Sequence, residues 1–505
     1  MKKITLSLAA IALSAMSFAA LNPFAYGLTS EVSVDNSKVT VSYSLNADAT
    51  SVKIVIMDGE TAVKTVESDK LVKGVHSLEI PTTGLESNKD YTWKVEVTGA
   101  EHETVTNVNT YRAYHPSSID IDVDPESPYF GRILCIEGNH SVKNTTSEID
   151  YLGKGFGAGI YVFDPSFEKV PNGENPGYNG GNEFTTTHYA VRRVRISQDG
   201  RIFLTAQNNG GVFLWEVDPN DLDSWNKVFQ GTEKEYTVED ADGNFIAGTN
   251  SGFDVRGEGE NLQLLMLSAS KSGGSIATFR CDEYNLGTAT TWNTVPSREN
   301  IAGASYMYVT NQSNAQYDKD GGIWYTQYRS NVEDAHPGLV HVTKDGEVDL
   351  IEYKTNLCNA GFRFNKDFTK VIVGGKFDAE NVGTIKYATI FAVSKDEAGK
   401  PVLTKELEID MTNIGKNLND FAWDYANNIY TVDNSGEYVA AYALPRTADE
   451  VVATPAAKKY VINLSATTFI ENVEVINPAQ KIIRNGQVLI IRDGKTYNMM
   501  GQEIR

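Results

Sequence analysis

The sequence is short of cysteine, of positive charge and of long apolar runs, and each shortage excludes a class of protein. Its only cysteines in 505 residues are Cys135, Cys281 and Cys358, and no pair has the CxxC spacing of a zinc or redox site. We expect buried free thiols, with one disulfide plus one free thiol left open. The 66 acidic residues outnumber the 45 basic ones, giving a net charge of −21. That balance argues against nucleic acid or an anionic membrane as a partner, because phosphate contacts need a Lys/Arg-rich face.

Familiar catalytic motifs are missing as well. The seven histidines never occur in an HExxH, HxH or Ser-His-Asp spacing. The glycine-rich run 155–159 lacks the strand–loop–helix context of a dinucleotide site. We therefore predict no catalytic residue and no cofactor apart from a calcium ion that stays open, and the sequence favours a non-enzyme without deciding the matter.

The N-terminus has the pattern of a secretory signal. Lys2 and Lys3 precede a short apolar run, residues 4–15, and Ser17-Phe-Ala19 is a small-x-small cleavage site. Cleavage is expected after Ala19, with 25–27 as a second option. No later segment reaches the roughly 18 apolar residues of a membrane span. The sequence thus predicts an exported protein, secreted or at the outer cell surface, that does not span the membrane.

Residues 28–100 predict a small β-sandwich. Apolar and polar residues alternate over 32–34, 38–44, 51–57, 76–80 and 90–97, and Asp58-Gly59 is a turn signal. The runs VTVSYSLNADATSVKIVIMDG, GVHSLEI and YTWKVEV resemble the immunoglobulin-like, fibronectin-like and flagellar-hook-cap-like modules of bacterial cell-surface proteins. The resemblance covers about 70 residues and implies two packed antiparallel sheets.

Residues 111–445 repeat one pattern six times. The clearest copy runs from Val194 to Asp218, as VRISQDG, RIFLT and GVFLWEVD. First strands begin near 119, 194, 253, 315, 362 and 421, and second strands near 132, 201, 261, 322, 370 and 428. Repeats of roughly 50–70 residues with several strands each are typical of a β-propeller. The predicted fold class is therefore all-β, with a six-bladed propeller after the sandwich.

The first strand of each repeat is expected to line the central channel. These strands carry the polar residues Asp120, Asp122, Arg193, Arg195, Asp254, Asn314, Gln316, Arg363 and Asp420. Propeller hydrolases such as lactonases hold calcium with a ring of carboxylates and amides, which makes Asp120, Asp254, Asn314 and Asp420 candidate metal ligands. The alternative is that these side chains satisfy backbone groups at the strand ends, and the arginines among them favour it.

Aromatic side chains near loops suggest a binding surface. Tyr178 and Tyr189 belong to or flank a loop rich in Gly, Asn and Pro, 164–189. Rings beside amides and carboxylates are what sugar recognition needs, through stacking and hydrogen bonds. The predicted ligand-binding residues are Tyr178, Tyr189, Arg193, Asp254, Gln316 and Asp420.

The C-terminal part predicts a linker, 446–468, and a small β module, 469–505. The sequence NGQVLIIRDGKTYNMMGQEI contains two hairpin turn signals, a Tyr and a terminal Gly-Gln. It resembles the C-terminal sorting tails of Bacteroidetes proteins that use type IX secretion. That resemblance implies a tail removed or exchanged for an anchor at the outer membrane.

These features predict a secreted or cell-surface binding protein whose propeller recognises a glycan or a protein. Two alternatives stay open, namely a calcium-dependent propeller hydrolase or lyase and a structural or adhesion component of the cell surface. A propeller does not decide among them, because this scaffold carries many functions.

Overall fold

A computed structural model of the chain describes residues 20–138, 148, 157–170, 177–182, 191–208, 211–229, 238–239, 245–246, 252–272, 275–287, 292–295, 314–326, 339–352, 361–374, 387–411, 418–434, 437–465, 480–484, 487–492, 495–497 and 503–504. Within these residues all regular structure is β-strand apart from two 3-10 turns, Gly259–Asn261 and Lys458–Tyr460. The same residues contain no helix long and apolar enough to cross a membrane. The prediction of an all-β chain is confirmed.

The strands in chain order are β1 (Ala25–Val32), β2 (Lys38–Leu45), β3 (Ser51–Asp58), β4 (Thr61–Ser68), β5 (Gly74–Pro81), β6 (Asp90–Thr98), β7 (Thr106–Arg112), β8 (Pro116–Ile121), β9 (Ile133–Glu137), β10 (Gly159–Phe163), β11 (Lys169–Val170), β12 (Arg193–Ile196), β13 (Ile202–Asn208), β14 (Gly211–Asp218), β15 (Asp221–Phe229), β16 (Val238–Glu239), β17 (Phe245–Ile246), β18 (Gly252–Arg256), β19 (Gln263–Ser272), β20 (Ser275–Leu286), β21 (Trp292–Val295), β22 (Ala315–Tyr317), β23 (Ile323–Thr326), β24 (Leu339–Val342), β25 (Val348–Glu352), β26 (Gly361–Phe364), β27 (Lys370–Gly374), β28 (Tyr387–Lys395), β29 (Pro401–Asp410), β30 (Leu418–Trp423), β31 (Ile429–Asp433), β32 (Tyr438–Ala443), β33 (Val452–Pro455), β34 (Ile462–Asn463), β35 (Gln480–Arg484), β36 (Gln487–Arg492), β37 (Lys495–Tyr497) and β38 (Glu503–Ile504).

The N-terminal strands form two antiparallel sheets that share one core. One sheet has the order β1-β2-β5, and the other contains β6, β3 and β4. Strand β2 alternates strictly between half-buried and buried residues, as expected for a strand with one face on a core. Val41 of the first sheet and Ile54 and Trp93 of the second are buried in the same cluster. Burial of these apolar faces is what holds the two sheets together.

The segment predicted as a linker, 446–468, is described as far as residue 465, and this part returns to the sandwich. Strands β33 and β34 both pair antiparallel with β6, about 360 positions earlier in the chain. Ile462 is fully buried in the sandwich core. Local sequence gives no sign of this, because the run is rich in small residues and Pro455 reads as a loop. Proline is tolerated there because β33 is an edge strand.

The repeats form six four-stranded antiparallel sheets. Sheet 1 contains β8–β11, sheet 2 β12–β15, sheet 3 β18–β21, sheet 4 β22–β25, and sheet 5 β26–β29. Sheet 6 combines β30, β31 and β32 with β7, which comes from before sheet 1 in the chain. The predicted first and second strands agree with this architecture, whereas the long-range closure by β7 has no local sequence signal.

Each neighbouring pair of sheets is joined by a buried apolar cluster. Ile136 of sheet 1 packs with Val194 of sheet 2, and the remaining pairs follow the same pattern around the chain. The last and first sheets also share a cluster, which contains Tyr430 and Ile119. Cys135 lies fully buried in that cluster as a free thiol. The sheets therefore close on themselves in a β-propeller-like arrangement, with their first strands innermost.

The C-terminal residues within the described ranges form a separate four-stranded sheet in the order β35-β36-β37-β38. All of its pairings are antiparallel between strands consecutive in the chain. These strands lie within the segment predicted as a small β module, 469–505.

Truncating Ile462 tests whether the returning segment is part of the sandwich. Ile462→Ala should lower the free energy of unfolding by about 2–5 kcal/mol, because it removes a fully buried side chain from the core. Val451→Ala is the matched control, since Val451 is 50% exposed and should change stability by less than about 0.5 kcal/mol. Urea denaturation measures both. Equal stability of the two variants would contradict the contribution of this segment to the core.

Candidate functional site

Polar side chains from the six innermost strands meet at the axis in two layers. Successive inward-facing residues of a strand are two positions apart, so one strand supplies both layers. The upper layer contains Ser118, Arg193, Asn314 and Asp420, and the lower layer contains Asp120, Arg195, Asp254, Gln316 and Arg363. Three aspartates and three arginines are therefore gathered where six sheets converge. All of these residues are buried except Arg363, which is partly exposed.

Arg195 and Asp420 form the central ion pair. Arg195 donates from Nη1 to Asp420 Oδ2 at 2.8 Å and from Nη2 to Asp420 Oδ1 at 3.1 Å. Asn314 accepts from Arg195 Nη2 at 2.9 Å and donates to Asp420 Oδ1 at 2.8 Å. Sheets 2, 4 and 6 are thereby joined at one point. This bidentate geometry pairs the planar guanidinium with the planar carboxylate.

Arg363 forms the second ion pair, in the lower layer. Its Nη1 donates to Asp254 Oδ1 at 2.8 Å, and its Nη2 lies 3.6 Å from Asp120 Oδ2. Arg195 Nε also lies 3.8 Å from Asp254 Oδ1. The acids and bases of the lower layer therefore neutralise one another across the axis.

The same side chains also bind the backbone of neighbouring strands. Asp120 accepts from the N–H of Ile196, Asp254 from that of Tyr317, and Gln316 from that of Phe364, at 2.8–2.9 Å. Asp420 accepts from the N–H of Ile119 at 3.3 Å. Each contact joins one sheet to the next. The alternative raised in the sequence analysis, satisfaction of backbone groups at the blade ends, describes this geometry directly.

The pKa values at the axis follow from this pairing. Burial opposes ionisation of Asp420, but Arg195 and Arg193 outweigh it and lower its pKa to about 2. Burial also lowers the pKa of Arg193, reinforced by the neighbouring Arg192, well below the usual range. For Arg363, Asp120 and Asp254 outweigh burial and raise the pKa. The arrangement holds Asp420 and Arg363 in their charged forms.

A pocket of about 700 Å³ opens on the side of the lower layer that faces away from the upper layer. Asp120, Asp254, Gln316 and Arg363 form part of its lining, and the turns after the first strands supply the walls. Its further polar lining residues are Asp124, Ser197, Gln198, Arg256, Asn261, Gln263, Asp318, Lys319, Asn365 and Lys366. We call this cavity the axial pocket.

Aromatic rings form one wall of the axial pocket. Tyr317, Phe364, Phe368 and Trp423 line it. Phe368 stacks on Phe364 with ring centroids 5.3 Å apart and planes at 24°, while Trp423 donates from Nε1 to the Arg363 carbonyl at 2.9 Å. Of the four rings, Phe368 is the one that stays half-exposed. The pocket thus combines fixed charges, amides and one accessible aromatic face.

The structure brings some predicted ligand-binding residues together and separates others. Asp254 and Gln316 line the axial pocket. Asp420 and Arg193, in the upper layer, are fully buried and do not line it. Tyr178 lines a different cavity of about 640 Å³ between the sandwich and sheets 1 and 2. Tyr189 lies outside the described residues. Sequence reasoning could not separate the residues that line the pocket from the buried groups behind them.

The four candidate metal ligands do meet at the axis, but most of their oxygens already have partners. Asp420 Oδ2 accepts from Ser118 Oγ and Arg195, and Oδ1 accepts from Arg195, Asn314 and the Phe421 N–H. Calcium requires six to eight oxygen ligands, and here guanidinium groups stand against the carboxylates. Among the described residues no group of three or more His, Cys, Asp or Glu could hold a metal. These carboxylates are therefore arranged for ion pairing with the arginines and do not form a calcium site. Calcium binding here would require the arginines to move.

One charged group was missed by motif reasoning because its members are far apart in the chain. His341 lies between two carboxylates, with Nε2 2.7 Å from Asp318 Oδ2 and Nδ1 2.5 Å from Asp349 Oδ1. Its ring packs on Trp324 with centroids 4.5 Å apart. Burial alone would lower the pKa of His341, but the hydrogen bonds to both aspartates raise it. Because Asp318 lines the axial pocket, this group fixes one wall residue.

Neutralising Asp420 tests the central ion pair. Asp420→Asn should reduce the free energy of unfolding by about 3–5 kcal/mol, because Arg195 keeps a buried charge without its carboxylate. Asp367→Asn is the control, since its pair with Lys366 is on the surface and should contribute about 1 kcal/mol or less. Chemical denaturation at pH 7 compares them. A stability loss for Asp420→Asn no larger than the control would contradict the account.

The His341 group should make stability depend on pH. The raised folded pKa means that the stabilisation is complete below the unfolded pKa of about 6.5 and is lost as pH rises through the folded pKa. The melting temperature of the unsubstituted protein should therefore exceed that of His341→Gln most clearly near pH 5.5, and the difference should shrink in alkali. Asp349→Asn should weaken this dependence. A difference that grows with pH would show that the imidazole is stabilised in its neutral form.

Comparisons with known proteins leave the chain without an assigned family. No family model matches it, and no curated protein is significantly similar to it. A solved Bacteroides thetaiotaomicron protein of unknown function is 11% identical, covering 82% of this chain and 98% of its own, with a TM-score of 0.37. A glucose dehydrogenase (10% identical, covering 68% of this chain and 100% of its own, TM-score 0.40) and Drosophila semaphorin 1a (9%, 68% and 89%, TM-score 0.35) are similar to a comparable degree. These propeller-like neighbours have mixed functions, and at such scores none supports a functional argument.

Proposed function

We propose that the chain is an exported, cell-surface binding protein that takes a saccharide in the axial pocket. On this proposal an immunoglobulin-like sandwich carries a six-bladed β-propeller, and the pocket at the propeller axis is the binding site. The observation that supports it most is the combination of a rigid, charge-balanced floor with an accessible aromatic wall. The ring of Phe368 and the side chains of Gln198 and Asn261 lie around one cavity.

The composition of the pocket suits a hydroxyl-rich ligand. A sugar ring has apolar C–H faces that pack on aromatic rings, and its hydroxyl edge needs planar donors and acceptors. The axial pocket offers both, and its volume of about 700 Å³ lies within the usual range of roughly 300–1,000 Å³ for small-molecule sites. An ordinary apolar ligand would remove water from the polar groups of the lining without offering them hydrogen bonds, which is costly.

The state of the charged floor favours binding over hydrolysis. A general acid or base must be able to exchange a proton with the substrate. Asp254 and Arg363 are instead bound to each other, and Asp120 accepts from a backbone N–H. Such groups are positioned to orient a ligand. Ligand binding is therefore the first candidate function, and calcium-dependent hydrolysis is the second.

Export and surface location stay part of the proposal. The signal-like N-terminus, residues 1–19, lies outside the described residues. The tail that resembles type IX sorting sequences contains β35 to β38. Both patterns point to the outer cell surface, where binding to polysaccharide is a common task.

Removing the accessible ring tests the proposed site. The purified protein is first screened against immobilised glycans, and affinities for the saccharides that bind are measured by calorimetry. Phe368→Ala should weaken binding about 3- to 10-fold, because a stacking contact is worth roughly 0.5–1.5 kcal/mol.

The control is Val402→Ala in β29, the outer strand of the same sheet. Val402 is 38% exposed and does not line the pocket, so its truncation should leave affinity unchanged. Melting temperatures check that both variants fold. Failure of every saccharide to bind, or full affinity in folded Phe368→Ala, would overturn the proposal.

A further inference from the structure

The axial pocket contains more basic residues than the acidic net charge of the chain leads one to expect. The chain has a net charge of −21, yet Arg256, Lys319, Arg363 and Lys366 all line this one cavity. Arg363 is paired with Asp254, and Lys366 lies 3.0 Å from Asp367. The remaining two cations, Arg256 and Lys319, are held in place by other groups.

Arg256 and Lys319 are held by aromatic rings and not by acids. The Arg256 guanidinium lies 4.3 Å from the Tyr317 ring centroid, and its Nε donates to Gln263 Oε1 at 2.5 Å. Lys319 Nζ lies 5.7 Å from the centroid of Phe368. In the part of the chain that the structure describes, neither forms an ion pair with a carboxylate. Their positions are therefore supported while their charges are not neutralised.

The acids of the pocket are engaged in a different way. Asp254 binds Arg363 and the Tyr317 N–H. Asp318 binds His341 and also accepts from the Gly322 N–H at 2.6 Å. Their oxygens are thus directed to partners within the protein. Neutralisation of Arg256 or Lys319 by either acid would require these bonds to break.

Asp124 is a further acidic residue in the lining of the same cavity. It accepts from the Glu126 N–H at 2.9 Å. Burial raises its pKa, and the nearby charges of Glu126, Glu258 and Asp199 act in the same direction. The pocket lining therefore contains the cations Arg256 and Lys319 and also the carboxyl group of Asp124. A ligand that uses all three must present an anion to the cations and hydroxyl donors to Asp124.

We infer that the axial pocket recognises an anionic saccharide, whose carboxylate or sulfate group lies against Arg256 and Lys319 and whose hydroxyls face Asp124. This inference rests on the proposed saccharide-binding function and specifies its ligand. Arginine and lysine bind carboxylate and sulfate oxygens through charge-assisted hydrogen bonds, which are stronger than neutral ones. Stacking on Tyr317 fixes the guanidinium before the ligand arrives, which reduces the entropy lost on binding.

The test compares matched saccharides on the full chain. The probes are an oligogalacturonate, its methyl-esterified form of equal length, and a chondroitin sulfate oligosaccharide of similar size. Calorimetry should show at least tenfold tighter binding of the oligogalacturonate or the sulfated probe than of the ester, because the ester keeps the ring and removes the charge. The probe that binds tighter identifies whether a carboxylate or a sulfate is preferred.

The variants R256Q and K319Q, alone and combined, should remove this preference. The double variant should bind the anionic probe about tenfold or more weakly and should lose less affinity for the ester, so that the preference disappears. K70Q/K400Q removes the same charge from exposed positions outside the pocket and should keep the preference. A preference retained by folded R256Q/K319Q would overturn the inference.

The outcomes separate this inference from the proposed function. Equal binding of the ester and the anionic probes, with both weakened by Phe368→Ala, would retain the saccharide site and overturn the anionic ligand. Binding of no probe and no glycan would overturn both. Anion preference lost in both R256Q/K319Q and K70Q/K400Q would indicate nonspecific charge attraction and would also overturn the inference.

Discussion

The structure depends on the pairing of buried charges at the axis. Three arginines and three aspartates come together where six sheets converge, and water cannot solvate most of them. Buried ions are tolerated only when their partners are in place, because removal of one partner leaves a charge that costs several kcal/mol. Arg195 and Asp420 are separated by 225 positions in the chain, yet both side chains are fully buried in contact. Their pairing fixes how sheets 2 and 6 face each other, and Asn314 adds sheet 4.

The same pairing determines what the axial pocket can do. Because Arg363 and Asp254 neutralise each other at its floor, the floor supplies directed hydrogen-bonding groups with little net charge. The basic wall at Arg256 and Lys319 is different, since aromatic rings support these cations without neutralising them. The cavity therefore contains two kinds of charged group: the Arg363–Asp254 pair has a structural role, and Arg256 and Lys319 are available to a ligand. The His341 group strengthens this division by binding the Asp318 carboxylate.

Much of the fold could be predicted from local patterns, and little of the pairing could. Alternation and turn signals predicted the first strand near Val194, which the structure has in β12 (Arg193–Ile196). The same signals pointed to polar residues of the first strands, although Asp122, which was among them, is bound within the following turn by Ser127. They could not predict that β7 closes sheet 6 or that Ile462 returns to the sandwich, because such contacts depend on residues hundreds of positions away. A list of aspartates and arginines allows either a metal site or an ion-pair network, and their relative positions in the structure support the latter.

The most direct measurement is a crystal structure of the protein grown with an oligogalacturonate and calcium present together. The account predicts density for the sugar in the axial pocket, with its carboxylate against Arg256 and Lys319 and with the Arg195–Asp420 pair intact. A calcium ion bound by Asp254 and Asp420, with the arginines displaced, would contradict the claim that the axial charges are structural. Sugar bound only in the cavity beside Tyr178 would contradict the assignment of the binding site.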